Sequence, residues 1–394
     1  MTERARPKLL YLVTEDWYFW SHRLPMARAA RDAGFDVAVA TRVDAHGPRI
    51  EGEGFRLLPL PWRRRSVNPA GALADVAAIA RLYRRERPDI VHHVSLKPVV
   101  LGGLAAAAAG VPAVVNALTG LGSAFGRGSV KARLAGAAAR PLLGAVLRRR
   151  NSVTVLQNGD DRDHLVATGL AVAERCRVIR GSGIDTVRYA VLPEPPEPPV
   201  TVGFVGRLLA DKGVRPLVEA QQHLRAEGLD VALILAGTPD PENPTAIRPD
   251  EVERWRALPG VELAGHVEDV RTVWARSHIA ALPSRREGLP KSLLEAAACG
   301  RAIVATDVPG CREVAHAGEN ALLVPPDDAA ALAGAIATLA RDPDLRRRFA
   351  AAGRRLVESD MAAERVGART LDLYRSLLAA ARGAPAGAPE PTAP

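Results

Sequence analysis

The residues best suited to chemistry lie in one stretch of the sequence, residues 284–301, which reads SRREGLPKSLLEAAACGR. The pattern predicts that a strand ends at Ser284 and that a helix begins near Pro290, because proline suits the first turn of a helix. The start of a helix carries free N–H groups and a positive partial charge, so it favours an anion such as a diphosphate. Four residues are expected to present their backbone to that anion: Gly288, Leu289, Ser292 and Leu293.

Two carboxylates accompany this predicted anion site. Glu287 lies in the loop before the helix, and Glu295 lies about a turn and a half into it. A phosphate would repel a nearby carboxylate, so we expect both to recognise hydroxyl groups, Glu287 those of the sugar and Glu295 the ribose diol. Two plainer interpretations stay open: Glu287 only complements the helix dipole, and Glu295 is an ordinary exposed helix residue.

A second motif whose residues could take part in a reaction covers residues 203–213, GFVGRLLADKG, where a predicted strand meets a predicted helix. Arg207 leaves the end of the strand, and Lys212 stands five residues later, just before the helix. Two cations at such a junction can neutralise a leaving diphosphate, as a divalent metal does in other enzymes. The alternative is a pair of surface cations without a ligand.

Together the two motifs resemble glycosyltransferase family 4. The matching pieces are G-R-L and K-G within residues 206–213, the glutamates Glu287 and Glu295 with seven residues between them, and the continuation CGRAIVATDVPGCREV…GENALLVPPDD. The resemblance implies an α/β fold of the GT-B kind, with two doubly wound Rossmann-like domains facing a central cleft. It also implies a retaining mechanism, no metal, no cofactor beyond the nucleotide-diphosphate sugar that serves as co-substrate, donor contacts at Gly206, and a nucleotide base close to His266 and Val267.

The first half of the chain resembles one branch of that family, whose members extend glycans linked to polyprenyl diphosphate. The matching segments include TEDWYFWSHRLPMA, VHHVSLKPVVLG and VPAVVNALTGLG. The resemblance implies a lipid-linked glycan acceptor at the inner face of the cytoplasmic membrane. The acceptor-binding candidates are Asp16, His22, His92, Ser95, Lys97, Asn116 and Thr119.

This half also departs from the family. Many members place a histidine two positions after the histidine at the strand end, but here that position is Val94. Lys97 and Ser95 are the nearby replacements. The glycine pair that often follows the first strand is replaced by residues 14–21, which we predict to form an aromatic-rich loop that shapes the acceptor site. Trp17, Phe19 and Trp20 could equally contact a membrane or belong to the core.

Short apolar runs alternate with helical segments along both halves, which predicts two parallel, doubly wound sheets. In the first half the predicted helices include residues 22–33 and 71–87, and the predicted strands are 9–14, 36–41, 56–61, 89–95, 113–119 and 152–157. In the second half the predicted helices include 214–227 and 292–299, and the predicted strands are 200–206, 231–237, 261–265, 279–283, 302–306 and 321–324.

The domain boundaries follow from composition. Residues 192–200 read LPEPPEPPV, with five prolines in nine residues, and predict a stiff linker between domains. We therefore predict an acceptor-binding domain at 1–191 and a donor-binding domain at 201–360. A helix at 361–382 is expected to pack back on the first domain, and 383–394 to be a disordered tail.

The charge of the chain permits contact with an anionic membrane. Lys and Arg exceed Asp and Glu by nine, with clusters at residues 63–65 and 148–150. The segment 131–150 could lie on an anionic leaflet, or it could be an ordinary helix with a basic rim. The uncharged stretch 98–126 is long enough to span a bilayer, but its glycines and alanines predict a buried helix, a strand and a loop. We predict a cytoplasmic protein bound peripherally to the membrane.

The sequence thus predicts a glycosyltransferase that moves a hexose or N-acetylhexosamine from UDP in the synthesis of O-antigen, capsule or glycoprotein. Two alternatives remain: a nucleotide-sugar 2-epimerase on the same fold, and a non-catalytic basic protein that binds membrane or nucleic acid. Two Asp-x-Asp patterns, at 161–163 and 342–344, resemble metal motifs, but both open helical segments, where aspartate caps the helix. We predict no metal site and no nucleic-acid partner.

Overall fold

The computed structural model describes residues 6–62, 69–120 and 140–383. The chain forms two compact units. The first unit consists of the residues up to Gly183 together with those from Ala363 onward, and the second unit is Ile184–Ala362. The basic cluster 63–65, part of the segment 131–150 and nearly all of the predicted tail lie outside the described residues.

The first unit contains a parallel sheet of seven strands in the order β3-β2-β1-β4-β5-β6-β7. Its central strands are buried on both faces, as expected for a parallel sheet covered by helices. The strands are β1 (Lys8–Glu15), β2 (Asp36–Arg42), β3 (Arg56–Pro59), β4 (Ile90–Val94), β5 (Ala113–Leu118), β6 (Ser152–Leu156) and β7 (Cys176–Val178). The helices are α1 (Asp16–His22), α2 (Leu24–Asp32), α3 (Gly47–Gly52), α4 (Pro69–Glu86), α5 (Leu96–Ala109), α6 (Gly159–Ala167) and α14 (Ala363–Ala381), with a further helical stretch at 140–147 and a 3-10 turn at Ala173–Arg175.

The second unit contains a parallel sheet of six strands in the order β10-β9-β8-β11-β12-β13. The strands are β8 (Val200–Val205), β9 (Val231–Ala236), β10 (Val261–Gly265), β11 (Ile279–Leu282), β12 (Ala302–Thr306) and β13 (Ala321–Val324). The helices are α7 (Val214–Ala226), α8 (Pro249–Arg256), α9 (Arg271–Trp274), α10 (Lys291–Ala298), α11 (Pro309–Arg312), α12 (Ala329–Arg341) and α13 (Pro343–Leu356), with a 3-10 turn at Ala210–Lys212 and a π-helical turn at Val357–Met361.

The alternating pattern predicted in the sequence is confirmed, since each predicted strand is present within two residues of its predicted bounds. The seventh strand of the first sheet, Cys176–Val178, was not predicted because it is short and contains the exposed Arg177. The described part of the uncharged stretch, residues 98–120, forms most of helix α5 and then the buried strand β5, while residues 121–126 lie outside the described residues. None of the described helices is long and apolar enough to cross a membrane.

The prediction of an aromatic-rich loop at 14–21 is wrong. These residues end strand β1 and form most of helix α1, which buries Phe19. The predicted helix 22–33 is correspondingly divided at Arg23, because Pro25 lacks the N–H that would continue the hydrogen-bond ladder.

The proline-rich segment 192–200 is part of the second unit, and the chain passes between units at 183–184 and 362–363. Arg346, whose side chain is fully buried, binds the carboxylates of Glu194 at 2.8 Å and Glu197 at 3.1 Å. The N–H of Leu192 donates to the carbonyl of Cys299 at 3.1 Å. The segment therefore differs from the stiff linker between domains that its composition predicts, because it packs within the second unit, where its acidic residues neutralise a buried guanidinium.

Helix α14 belongs to the first unit although it follows the second unit in sequence. It packs against α2, and the hydroxyl of its buried Tyr374 lies 2.7 Å from that of Tyr11 and 2.5 Å from His92 Nδ1. The first unit is thus built from two separate segments of the chain.

Three buried histidines make the stability of the fold depend on pH. Burial lowers the pKa of His92, that of His93 to about 4, and that of His278. The unfolded chain therefore binds more protons than the folded protein once the pH falls below about 6.5, the ordinary pKa of histidine. We expect the free energy of unfolding to be maintained above that pH and to fall below it, by up to about 1.4 kcal/mol per pH unit for each such histidine.

Urea unfolding at pH 7.5 and pH 5.5 measures this effect. The variant His278→Gln should lose part of the pH dependence. The matched variant His223→Gln, at a side chain that is 63% exposed, should keep all of it. An unfolding free energy that is equal at the two pH values would contradict the prediction.

Candidate functional site

The direction of strand order reverses between β8 and β11 in the sheet of the second unit. Loops that leave neighbouring strands at such a switch point diverge, and they form the usual ligand-binding crevice of an open α/β sheet. Both sequence motifs lie at this point, since residues 206–212 follow β8 and residues 283–290 follow β11.

The structure brings Lys212 and Glu287 into direct contact. Lys212 Nζ donates to Glu287 Oε1 at 2.5 Å, and Ser284 Oγ donates to the same oxygen at 2.6 Å. The side chain of Glu287 is only 9% exposed, and that of Lys212 is 24% exposed. One predicted cation and one predicted carboxylate therefore form a single polar cluster, which we call the Lys212–Glu287 cluster.

Two glycines allow the loops of this cluster to approach each other. Gly213 has a φ of +68°, and a Cβ there would lie 1.9 Å from the carbonyl oxygen of Pro283. A Cβ at Gly310 would lie 2.4 Å from the carbonyl oxygen of Glu287. Thr306 Oγ1 also donates to the carbonyl of Ser284. The close backbone approaches at Gly213 and Gly310, together with the hydrogen bond from Thr306, thus fix the loop that carries Glu287.

Arg207 stands at the same switch point but does not join the cluster. Its Nη1 donates to Asp240 Oδ2 at 2.6 Å, and its side chain is 44% exposed. The guanidinium group therefore retains a solvent-facing side on which an anion could be bound.

The start of helix α10 presents fewer free N–H groups than the sequence predicts. The helix begins at Lys291, with Pro290 as its N-cap. The N–H of Leu293 donates to the carbonyl of Pro290 at 3.2 Å, so the predicted donor-binding role of this amide is not available in the structure. Gly288, Leu289 and Ser292 lie in partly exposed positions at the same helix start.

Glu295 is buried rather than exposed, which removes the plainer interpretation of this residue. Its Oε1 accepts a hydrogen bond from the hydroxyl of Tyr189 at 3.1 Å and lies 3.4 Å from Lys291 Nζ. Burial raises the pKa of Glu295. Tyr189 was not predicted as a site residue, because it lies 106 positions away and no spacing in the sequence connects the two.

His266 and Val267 directly follow β10, the edge strand that lies two strands away from β8. His266 is exposed, whereas Val267 packs against a small apolar cluster that includes Ile234 and Val273. Their predicted contact with a nucleotide base stays a prediction.

The first unit has a corresponding switch point between β1 and β4. Ser95 follows β4 with a φ of +76°, and its Oγ lies 3.2 Å from Thr119 Oγ1. Lys97 is partly exposed, lies 3.6 Å from Asp75 and covers the ring of Trp62. Ser95, Lys97 and Thr119 therefore lie just beyond the carboxyl ends of the neighbouring strands β4 and β5.

Three predicted acceptor residues are internal instead. Asp16 is fully buried, and its carboxylate accepts hydrogen bonds from the N–H groups of Trp17, Asp44 and His46 at 2.7–2.8 Å. Their positions do not suit direct contact with an acceptor, because each side chain is buried and hydrogen-bonded inside the unit. The other two are His92, bound to Tyr374, and Asn116, bound between His93 and Ser152.

His22 is the remaining predicted acceptor residue, and it is partly exposed. Its ring stacks on that of Tyr18 with a centroid distance of 4.2 Å, and its Nδ1 lies 2.6 Å from Ser21 Oγ. The ring is therefore held in one orientation by its own helix.

Known proteins resemble both halves of the chain. The family model Glycosyl transferase 4-like matches residues 8–157, and the model Glycosyl transferases group 1 matches residues 199–342. The N,N'-diacetylbacillosaminyl-diphospho-undecaprenol alpha-1,3-N-acetylgalactosaminyltransferase of Campylobacter jejuni is 25% identical over 83% of this chain and 88% of its own length.

Solved structures show the same architecture. A glycosyltransferase from Rickettsia africae superimposes with a TM-score of 0.77 at 17% identity, covering 95% of this chain and 99% of its own. Anabaena HepE in complex with UDP and glucose gives a TM-score of 0.75 at 19% identity, covering 94% of this chain and 100% of its own.

Proposed function

Because the chain belongs to the glycosyltransferases, with a glycosyl transferase 4-like domain followed by a group 1 domain, we propose that it moves a sugar from a nucleotide-diphosphate donor to a lipid-linked glycan. Its two Rossmann-like units are those of the GT-B fold. The observation that carries the proposal is the Lys212–Glu287 cluster at the switch point of the second unit. A cation there can meet a phosphate while the adjacent carboxylate meets a sugar hydroxyl.

The donor diphosphate binds Lys212 and Arg207, with the start of helix α10 as a further source of N–H donors. Negative charge grows on the leaving phosphate as its bond to the sugar stretches, so these prepositioned cations stabilise the transition state most. They supply the charge neutralisation that a divalent metal gives elsewhere, and we propose that the reaction needs no metal. Glu287, released from Lys212 when the phosphate arrives, accepts a hydrogen bond from the donor sugar.

The transfer retains the configuration of the sugar. The bond from the anomeric carbon to the phosphate oxygen breaks, and the bond to the acceptor hydroxyl oxygen forms on the same face. The proton of that hydroxyl passes to the departing phosphate oxygen, so no separate base is required. The acceptor lies near the partly exposed residues Ser95, Lys97 and Thr119 of the first unit.

Glu295 binds the ribose diol, and Tyr189 holds the carboxylate in place through its hydrogen bond. The variant Glu295→Gln should raise KM for the donor by about 10-fold or more and leave kcat nearly unchanged, because a charged hydrogen bond contributes about 1.5–3 kcal/mol and acts equally in ground and transition states. Initial rates at varied donor concentration measure both constants.

The exposed carboxylate of Glu319 serves as the control for that variant. Glu319→Gln should change neither constant. An unchanged KM for the donor in the Glu295→Gln enzyme would contradict the proposal that Glu295 binds the ribose.

The acceptor and donor classes are supported by the relatives. The Campylobacter enzyme is named for an undecaprenyl-diphosphate-linked acceptor, and HepE was crystallised with UDP and glucose. We propose a polyprenyl-diphosphate-linked glycan as acceptor and a UDP-linked hexose or N-acetylhexosamine as donor, in the synthesis of cell-surface polysaccharide or glycoprotein.

A lipid-linked acceptor requires access to a membrane, and one basic groove of the first unit suits peripheral contact. The groove has a volume of about 530 Å³ between β3 and α4, and it combines apolar side chains such as Leu58 and Leu60 with the exposed Arg81 and Arg85. Cations near an anionic leaflet contribute about 1 kcal/mol each. We propose that the protein binds peripherally at the cytoplasmic face.

The deciding experiment incubates the purified protein in EDTA with UDP-, GDP- and ADP-sugars, with and without a short polyprenyl-diphosphate-linked sugar. Nucleotide release and product mass are the readouts. Release that requires the acceptor, from one donor, supports the proposal and identifies that donor. Isomerisation of the donor without acceptor would indicate a 2-epimerase, and transfer that appears only after a divalent metal is added would overturn metal independence.

A further inference from the structure

A small cavity of about 10 Å³, partly open to solvent, lies in the first unit near the ends of β5, β6 and β7. It is large enough for a single water molecule or a single small ion. Its wall combines apolar atoms with two strongly polar side chains, Arg23 and His92. Nothing in the proposed transfer reaction uses this cavity.

Arg23 brings a buried positive charge to the cavity. The residue is 4% exposed, and its Nε has no hydrogen-bond partner. Its Nη1 makes a weak contact of 3.9 Å with the sulfur of Met26. Among residues 6–62, 69–120 and 140–383, no carboxylate forms an ion pair with Arg23. A buried guanidinium without a counter-charge is strongly unfavourable, because it loses its hydration without compensation.

His92 adds a second donor to the same wall. Tyr11, Tyr374 and His92 form a chain of hydrogen bonds, with 2.7 Å between the two hydroxyl oxygens and 2.5 Å from Tyr374 to Nδ1. When the cavity holds an acceptor, one direction of this chain gives every hydrogen an acceptor: Tyr11 donates to Tyr374, Tyr374 donates to Nδ1, and Nε2 donates into the cavity. The hydrogen of the neutral ring then lies on Nε2, which is buried and has no partner within the described part of the chain.

We propose that this cavity is a binding site for a compact monovalent anion of the size of chloride. An anion accepts hydrogen bonds from Arg23 Nε and His92 Nε2 and also neutralises the guanidinium. A water molecule could accept the same two bonds but would leave the buried charge uncompensated. The amide of Gln157, which also lines the cavity, can turn its NH₂ group toward the same occupant.

The position of the site gives the anion a structural consequence. The cavity is lined by Met26 of α2 and Thr370 of α14 as well as by the sheet residues. A bound anion therefore links helix α14, the last helix in the sequence that the structure describes, to the sheet of the first unit. Binding to the folded state alone raises the free energy of unfolding by mass action, as RT ln(1 + c/Kd), where c is the concentration of the anion and Kd its dissociation constant.

The test uses the full-length protein and chloride or bromide as the probe. Thermal and urea unfolding are followed in sodium chloride and in sodium gluconate at equal ionic strength, and crystals are soaked in bromide for anomalous diffraction. We expect the unfolding constant to fall about 10-fold for each 10-fold rise in chloride above its dissociation constant. We also expect one anomalous peak within hydrogen-bond distance of Arg23 Nε and His92 Nε2.

Two variants on the same helical region separate this site from general salt effects. Arg23→Met should abolish both the chloride dependence and the bromide peak. Arg28→Met, at an exposed arginine paired with Glu53, should retain both. If Arg23→Met fails to fold, the wild-type bromide peak still decides the proposal. Electron density in the cavity of a bromide-soaked crystal without an anomalous peak, together with equal unfolding in chloride and gluconate, would show that water occupies the cavity. That result would overturn the proposal.

Discussion

Replacing Lys212 by methionine is expected to lower kcat for sugar transfer by about 10²–10³-fold, the usual cost of removing one donor that stabilises developing charge. Lys212 is held at the switch point by a 2.5 Å contact with Glu287. In the proposed mechanism, the same ammonium group lies beside the leaving phosphate when the donor binds. The loss should therefore appear mainly in kcat rather than in KM, because the interaction strengthens as the bond to the sugar breaks.

Arg215→Met is the matched control for this variant. Arg215 lies three residues further along the chain and pairs with Glu251 on the surface, with a side chain that is 47% exposed. It should transfer sugar at the wild-type rate. Glu287→Gln, which keeps an acceptor for Ser284, separates the role of the carboxylate from that of the cation. A Lys212→Met enzyme with an unchanged kcat would refute the assignment of Lys212 to the leaving group.

Replacing Glu194 and Glu197 together by glutamine is expected to reduce the free energy of unfolding by about 3–5 kcal/mol, because it leaves a fully buried charge without a counter-charge. That charge belongs to Arg346, whose side chain is 0% exposed. Its partners are 23% and 38% exposed, so the cost of burial falls mainly on the arginine. Arg346→Met should destabilise less than the double variant, because it removes the buried charge itself.

Urea unfolding followed by tryptophan fluorescence measures both variants. Arg347→Met is the neighbouring control, since its side chain is 61% exposed and its effect should stay within about 0.5 kcal/mol. If Arg346→Met proved the more damaging of the two changes, the buried charge would not be the dominant contribution.

The alternation of apolar runs and helical segments was sufficient to predict the two sheets, because a strand buried on both faces must be nearly continuous in apolar residues. The cluster at the second switch point was also predictable in part. The sequence singles out Lys212 and Glu287 because they follow predicted strand ends and match motifs of glycosyltransferase family 4, while a surface cation and a partner of the helix dipole are the open alternatives. Their direct contact was not predicted, because it depends on the packing of two loops 75 residues apart.

Other residues could not be placed for a physical reason. Asp16 and His92 have side chains that suit either substrate binding or internal hydrogen bonding, and only the tertiary structure shows that backbone amides and Tyr374 use them. The partnership of Tyr189 with Glu295 is equally invisible in the sequence. The predicted domain boundary at the proline-rich segment differs from the one in the structure. The composition of the segment indicates only that it is stiff, whereas its contacts with the buried Arg346 determine where it packs.

The division of the first unit into two segments also imposes an order on biosynthesis. A ribosome releases residues 184–362 before it completes helix α14, so the second unit has all of its sequence available while the first unit still lacks Val366 and Tyr374, which belong to its apolar core. The half of the protein that is translated first is therefore the half that reaches its final core last. During that interval the emerging chain exposes the apolar surface of α2 that α14 later covers, and this is the stage at which a chaperone would have most to protect.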